Sequence, residues 1–315
     1  MSIVVFGSIN MDLVARTPRL PQAGETLTGH DFSTVPGGKG ANQAVAAARL
    51  GAAVTMIGRV GGDRFGETLI ESLQKAGVGC DRIIADAACS SGVALIEVED
   101  GGNNHIIIIP GANGRVNAED VSRMQPCLPE AKLLLLQLEV PIAAVIAAAQ
   151  AARQAGVTVV LDPAPAPTTL PDELLTAVDI ITPNQVEASQ LVGFSVETLA
   201  DAEKAAIALR QKGVRAVIIK LGDQGTLTVT EETTIHTPVF PVEAVDTVAA
   251  GDAFNGGLAI ALAEGRSLQD ALIWGTGTAA LAVNRQGAQT SMPTHAELYQ
   301  FFNTYELTLH REKSK

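Results

Sequence analysis

From Leu133 to Lys220 the chain alternates short, almost wholly apolar runs with longer segments of helical spacing, which narrows its folds more than any other feature. The apolar runs are Leu133–Gln137, Val157–Leu161, Ile180–Thr182 and Ala216–Lys220; Ile142–Ala155, Leu174–Val178, Val186–Val192 and Ala200–Gln211 lie between or beside them. A strand wetted on one face alternates apolar and polar residues, whereas one covered on both faces is apolar throughout. Such an order of segments gives a mostly parallel sheet between two layers of helix, a three-layer α/β/α domain. The same reading gives strands at Val4–Gly7 and Ala53–Ile57, and helices at Asn42–Leu50, Phe65–Lys75, Leu268–Val283 and His295–Tyr305. Thr226–Thr230 and Thr233–Pro238 read as a hairpin, and Gly193 as a helix C-cap.

Strand-like segments near Ala15–Thr17, Thr28–Val35 and Ser91–Ile109 interrupt this rhythm; the last is a hairpin split by the polar turn Glu99–Asn104. No linker separates them from the rest, so residues 1–310 are expected to form one domain and the basic residues 311–315 a frayed tail. Aromatic residues are only 3% of the 315 while glycines number 30, so Ala and Leu must do most of the packing. The net charge of −12, with no basic stripe, argues against nucleic acid. There is no apolar run of about 18 residues to cross a membrane and no basic leader before Ile3–Gly7, so a cytoplasmic protein is expected. Cys80, Cys89 and Cys127 lack metal spacing and are read as reduced, mostly buried residues; the five histidines are scattered.

Two regions carry chemistry. In Val245–Gly257 a small-residue turn precedes an apolar helix rich in Gly and Ala. The first N–H groups of such a helix lack intrahelical partners and make a seat for negative charge. Asp252 stands at that seat, beside Ala249, Ala250 and Gly251, where a carboxylate can help a hydroxyl attack a phosphoryl group. The same spacing also fits a plain helix N-cap. Near the start of the chain, Gly7-Ser8-Ile9-Asn10-Met11-Asp12 is followed by Gly37-Gly38-Lys39-Gly40-Ala41-Asn42-Gln43-Ala44. Asn10 and Asp12, two residues apart, can reach one cleft. Gly37 and Gly38 permit close backbone approach, and Asn42 lies one helical turn beyond. Glu139 ends an apolar run, where open α/β sheets place ligand residues. Carboxylates and amides of this kind suit a polyhydroxylated substrate. Gly40 follows Lys39, so the segment is not a Walker phosphate loop, and Gly58–Asp63 fails the dinucleotide pattern.

These segments, with Leu138–Pro141, Asp162–Ala166, Thr182–Glu187 and Lys220–Gly225, resemble those of the PfkB carbohydrate kinase family, also called the ribokinase-like family. The likeness runs from about Val4 to Pro293. It implies a ribokinase-like fold in which the extra strands form a small β lid over a sugar site. It also implies ATP-dependent phosphorylation of D-ribose at O5, with 2-deoxyribose or another sugar or nucleoside as the alternative acceptor and a non-catalytic sugar-binding regulator as a remote one. By the resemblance, Asn10, Asp12, Gly37, Gly38, Asn42, Glu139 and Asp252 bind sugar and Asp252 is the catalytic base. Lys39 either reaches sugar or phosphate oxygens or rests on the glycine turn. Asn184, Glu187, Lys220, Gly222, Gly225, Gly251 and Thr276 fall to ATP, with Glu187 serving the Mg²⁺ region through water. Asn184 and Glu187 also fit a helix capping box. Lys220 stands where the family pattern expects Thr, and either adds charge near the phosphates or points away. The resemblance further implies a K⁺ site from Asp246, Val248, Ala282, Arg285, Gly287 and Ser291, and a homodimer joined through the β lid.

Overall fold

The computed structural model describes residues 1–101 and 103–312, with 306–312 described by backbone alone. The strands are β1 (Ser2–Phe6), β2 (Asn10–Thr17), β3 (Asp31–Gly37), β4 (Ala53–Gly61), β5 (Ile83–Asp86), β6 (Gly92–Glu99), β7 (Asn104–Ile109), β8 (Ala131–Leu136), β9 (Thr158–Leu161), β10 (Ile180–Ile181), β11 (Ala216–Lys220), β12 (Thr226–Val229) and β13 (Thr234–Thr237). The helices are α1 (Lys39–Arg49), α2 (Arg64–Lys75), α3 (Ala118–Met124), α4 (Ile142–Gln154), α5 (Asp172–Leu175), α6 (Gln185–Val192), α7 (Leu199–Gln211), α8 (Ala250–Ala263), α9 (Leu268–Val283) and α10 (His295–Glu312).

Nine strands form the main sheet in the order β13-β12-β11-β10-β9-β8-β1-β4-β5. All pairings from β11 to β5 are parallel, and the β12–β13 hairpin closes one edge antiparallel. The apolar strands work as their composition requires. Val4 and Phe6 of β1 enter one hydrophobic core with Leu134 and Leu136 of β8, while Ile3, Val5, Leu133 and Leu135 enter the other. The first core is closed mainly by α3 to α7 and the second mainly by α1, α2, α8 and α9. The scarcity of aromatics is met by close helix contact: a β-carbon at Gly256 would lie 2.4 Å from Ala46 Cβ, so α8 lies almost backbone-to-backbone on α1.

The remaining four strands form a separate sheet ordered β3-β2-β6-β7. It places Asn10 opposite Gly37 and opposite Gly92, so the ends of β2, β3 and β6 meet where the chain enters α1. Of the tail expected at 311–315, Arg311 and Glu312 continue α10 and residues 313–315 lie outside the described residues. Two expectations need correction. The three cysteines are free but only half-buried. The run at Leu174–Val178 shortens to the single turn of α5 with buried residues after it.

Candidate active site

Asn10 and Asp12 lie on one face of β2 because they are two residues apart in a strand. Glu139, just beyond β8, draws the neighbouring groups together. Its Oε2 accepts hydrogen bonds from Ser8 Oγ (2.5 Å), the Lys39 backbone N–H (3.1 Å) and Asn10 Nδ2 (3.4 Å). Gly38 has φ 88° and caps α1; a β-carbon there would sit 2.6 Å from the Asn10 nitrogen, so only glycine fits. At Gly37 the same test meets the Asp12 carboxylate at 2.2 Å. Burial, then the nearby Glu139 and Asp252 charges, push Asp12 up to about 7. Asn42 Nδ2 donates to Asp252 Oδ2 (2.9 Å), while the buried Asn42 Oδ1 has no partner. The structure thus gathers Asn10, Asp12, Gly37, Gly38, Lys39, Asn42, Glu139 and Asp252 in one cluster. Asn113 was not legible in the sequence: its side chain accepts from the Ile9 N–H and donates to Asn10 Oδ1 (2.7 Å), fixing the Asn10 amide.

Asp252 is not a helix cap. The cap of α8 is Ala249, at φ 58° the one non-glycine residue with positive φ among the described residues, and no side chain caps it. A backbone held in this sparsely populated region is strain of the kind that marks functional turns. Asp252 lies in the first turn of α8, buried, with Oδ1 accepting from Gln43 Nε2 (3.0 Å) and Oδ2 from Asn42. Burial pushes its pKa to about 6; Lys39 and the two amide donors resist this, while Asp162 adds to it. Of the donors expected at the anion seat, the Ala250 N–H is taken by Thr247 O (3.2 Å). The Gly251 and Asp252 N–H groups have no acceptor among the described residues and point out of the helix start.

Beyond Asp252 opens a cavity of about 560 Å³. Lys39, Asn184, Glu187, Lys220, Gly222, Gly225, Gly251, Asp252 and Thr276 all line it, so every residue expected at a nucleotide meets in one place. Asn184 and Glu187 do form the capping box of α6, each accepting from the other's backbone N–H at 2.8 Å. That pairing leaves them on the cavity wall. Glu187 is shifted upward by burial and by Asp162, against the pull of Lys220 and Lys39. Lys220 points inward: its Nζ is 2.9 Å from Asp162 Oδ1, and a β-carbon at Gly251 would lie 3.2 Å from it. Burial works against the Lys39 charge, but Asp252, Asp162, Glu139 and Glu187 outweigh it and hold the ammonium above its usual range. The apolar wall of Val239, Phe240, Pro241, Val242 and Ala244, with Ala279, Ala280 and Val283, escaped sequence reading. Phe240 there is braced by Phe301, Phe302 and Tyr305 of α10.

The two segments expected at a monovalent cation are tied together beside the turn. Val283 O accepts from the Val245 and Asp246 N–H groups (2.7 and 3.1 Å). Asp246 accepts from the Val248 N–H (3.0 Å) and the Gly287 N–H (2.9 Å). Ala282 O accepts from the Arg285 N–H, the Arg285 side chain turns away to Glu297, and Ser291 Oγ donates to Ala288 O. No group of three or more His, Cys, Asp or Glu side chains suited to a metal occurs among the described residues.

Known proteins match nearly the whole chain. The model of the "pfkB family carbohydrate kinase" matches residues 1–295. A ribokinase of Haemophilus influenzae is 42% identical over 300 residues, covering 95% of this chain and 98% of the relative. A deoxyribokinase of Salmonella typhi is 37% identical, covering 97% of this chain and 100% of the relative. The solved structure of Arabidopsis thaliana ribokinase complexed with ribose and ATP superposes with a TM-score of 0.89 at 34% identity, covering 95% of this chain and 97% of that one. The parallel sheet, and the cluster of carboxylates and amides that meets the 560 Å³ cavity at Asp252, agree with that match, and the chain belongs to the PfkB family of carbohydrate kinases.

Proposed function

We propose that the protein transfers the γ-phosphoryl group of ATP to O5 of D-ribose, giving D-ribose 5-phosphate and ADP. The observation that carries this reading is the place of Asp252. Its carboxylate is fixed by Asn42 and Gln43 at the junction of the hydroxyl-recognising cluster and the 560 Å³ cavity, beside free N–H donors. The Haemophilus influenzae ribokinase and the Arabidopsis thaliana ribokinase bound to ribose and ATP support the choice of substrates.

The residues divide the work by chemistry. Asn10, Asp12, Asn42 and Glu139 pair with sugar hydroxyls, each of which needs a donor and an acceptor. The unpartnered Asn42 Oδ1 is an acceptor awaiting such a hydroxyl. Asp252 accepts the O5 proton as the new O5–P bond forms and the bond to ADP breaks. A carboxyl near pKa 6 is mostly ionised at neutral pH and closer to the working range than an ordinary Asp. The Gly251 and Asp252 N–H groups, with Lys39 and Lys220, face the charge spreading onto the phosphoryl oxygens. Asn184 and Glu187 flank the phosphate end of the cavity, where the Glu187 carboxylate would hold Mg²⁺ through water. A bound Mg²⁺ supplies neutralising charge on the phosphates. Asp246, Ser291 and the carbonyls of Val248, Ala282, Arg285 and Gly287 would supply oxygens of the kind K⁺ takes, and ordering of the Ala249–Asp252 turn is the expected effect.

The sheet β3-β2-β6-β7 is proposed to cover the bound sugar and exclude water, which would otherwise compete as acceptor. Ile106, Ile107, Ile108 and Ile109 on its edge strand β7 are all exposed, at 54, 61, 44 and 41%. Four consecutive exposed isoleucines on a free edge favour burial against a second copy, making a homodimer. An Ile107→Lys variant then sediments as a monomer, and a dimer of unchanged strength would contradict the interface. No helix among the described residues is long and apolar enough to cross a membrane. ATP as donor and three free cysteines fit a reducing cytoplasm.

A second acceptor, 2-deoxyribose, is favoured by the Salmonella typhi deoxyribokinase, whose likeness to this chain is nearly that of the ribokinases. One assay decides between them: ADP release from ATP and Mg²⁺ across ribose, 2-deoxyribose, fructose and adenosine. A higher kcat/KM for ribose supports the proposal, and a higher value for any of the others overturns it.

A further inference from the structure

Behind the proposed base lies a buried polar chain whose two amides, Gln43 and Gln137, stand outside the lining of the nucleotide cavity. Gln43, fully buried, donates from its one amide nitrogen to two carboxylates, Asp252 Oδ1 and Asp162 Oδ2, each at 3.0 Å. Its oxygen accepts from Gln137 Nε2 at 2.6 Å, and Gln137 is also fully buried. Asp162 in turn accepts from Lys220 Nζ. The amide orientations follow from the partners. Ionised carboxylates only accept, so the NH₂ of Gln43 must face them; its oxygen then needs a donor, so Gln137 must present its own NH₂. The cost of this arrangement is visible in Gln137 Oε1, which is buried without a partner. An apolar pair would avoid that cost, so the orientation has a use.

We propose that Gln43 is the positioning residue of Asp252, with Gln137 fixing its amide so that one NH₂ group holds two facing carboxylates apart and in place. This rests on the reading of Asp252 as the base. Asn42 takes one carboxylate oxygen and Gln43 the other, which sets the carboxylate plane and leaves the remaining lone pairs for the attacking hydroxyl. Without Gln43, Asp252 turns freely and faces the Asp162 charge with no hydrogen between them. The charged groups acting on Asp252 are Lys39 at the start of α1, Asp12 on β2, Asp162 after β9, and Lys220 at the end of β11 through Asp162. Loss of the Gln43 hydrogen bond removes a contact that favours the ionised form, so the acid limb of kcat moves to higher pH.

The test is ADP release as a function of pH for the wild type, Gln43→Met, Gln137→Met and Asp252→Asn, with ribose binding and melting temperature on each. Gln43→Met keeps the volume and removes the donors. It is expected to lower kcat about tenfold to a hundredfold, leave ribose KM within about threefold and raise the acid limb by about one pH unit. Gln137→Met is expected to move the limb the same way by less. A Gln43→Met enzyme that folds with wild-type kcat and limb, while Asp252→Asn is inactive, overturns the positioning role and leaves the base standing. If Gln43→Met fails to fold, an unmoved limb in Gln137→Met overturns it instead. Normal turnover in Asp252→Asn removes the base itself, a separate failure.

Discussion

Replacing Asp252 with Asn separates chemistry from folding, because the structure assigns the two effects opposite weights. At neutral pH the buried carboxylate opposes folding: with its pKa raised from 3.8 to about 6, its ionisation costs about 3 kcal/mol. That cost is present in full above about pH 6 and fades as the pH falls toward 3.8. Asp252→Asn removes it. The introduced amide has one oxygen for two donors, Asn42 Nδ2 and Gln43 Nε2, but both hydrogen bonds are already contained in the net shift, and Asn stands close to the protonated acid. Tm is therefore expected to hold or to rise by up to about 5 °C. Turnover has no such gain, since the amide cannot take the O5 proton, and kcat is expected to fall about 10²- to 10⁴-fold. Ribose binding, measured by titration calorimetry, weakens by no more than about tenfold, because one hydroxyl contact of several is altered. ADP release, calorimetry and a melting curve on one preparation decide the matter. Turnover within a few-fold of wild type refutes the base, and a large fall in Tm refutes the opposition between ionisation and folding.

Two further outcomes follow from the same geometry. The acid limb of kcat/KM for ribose is expected near pH 6, since protonated Asp252 cannot accept the O5 proton below that point; a flat profile down to pH 5 would exclude it. Potassium is expected to raise turnover beyond an equal ionic strength of a large organic cation, and Asp246→Ala to weaken that response, because Asp246 ties Val248 to Gly287; identical rates in both salts would remove the cation site.

The parts legible in the sequence are those in which local pattern and final environment agree. Leu268–Val283 has the same bounds in the sequence reading and in α9, since its composition leaves no competing period. The apolar runs of the parallel sheet were visible because both faces are covered. The stretch from Gly111 to Glu130 was not read: it folds as two 3₁₀ turns around the seven-residue α3, too short for helical periodicity and broken by Pro126 and Pro129. In the site, residues inside recognisable motifs were found, while their supports were not. Asn113 is about a hundred residues from Asn10, and Gln43 meets Asp252 across 209 residues, so no spacing could pair them. The Val239–Ala244 wall has no period at all and becomes a surface only when α9 and α10 pack behind it.

Phosphorus-31 NMR of the product formed from ATP, Mg²⁺ and D-ribose tests the central claim most directly. The account predicts one ADP per sugar phosphate, with the new phosphorus signal coupled to the two protons on C5. A phosphorus coupled to the anomeric proton, or ADP formed at no more than the sugar-free rate, would contradict it.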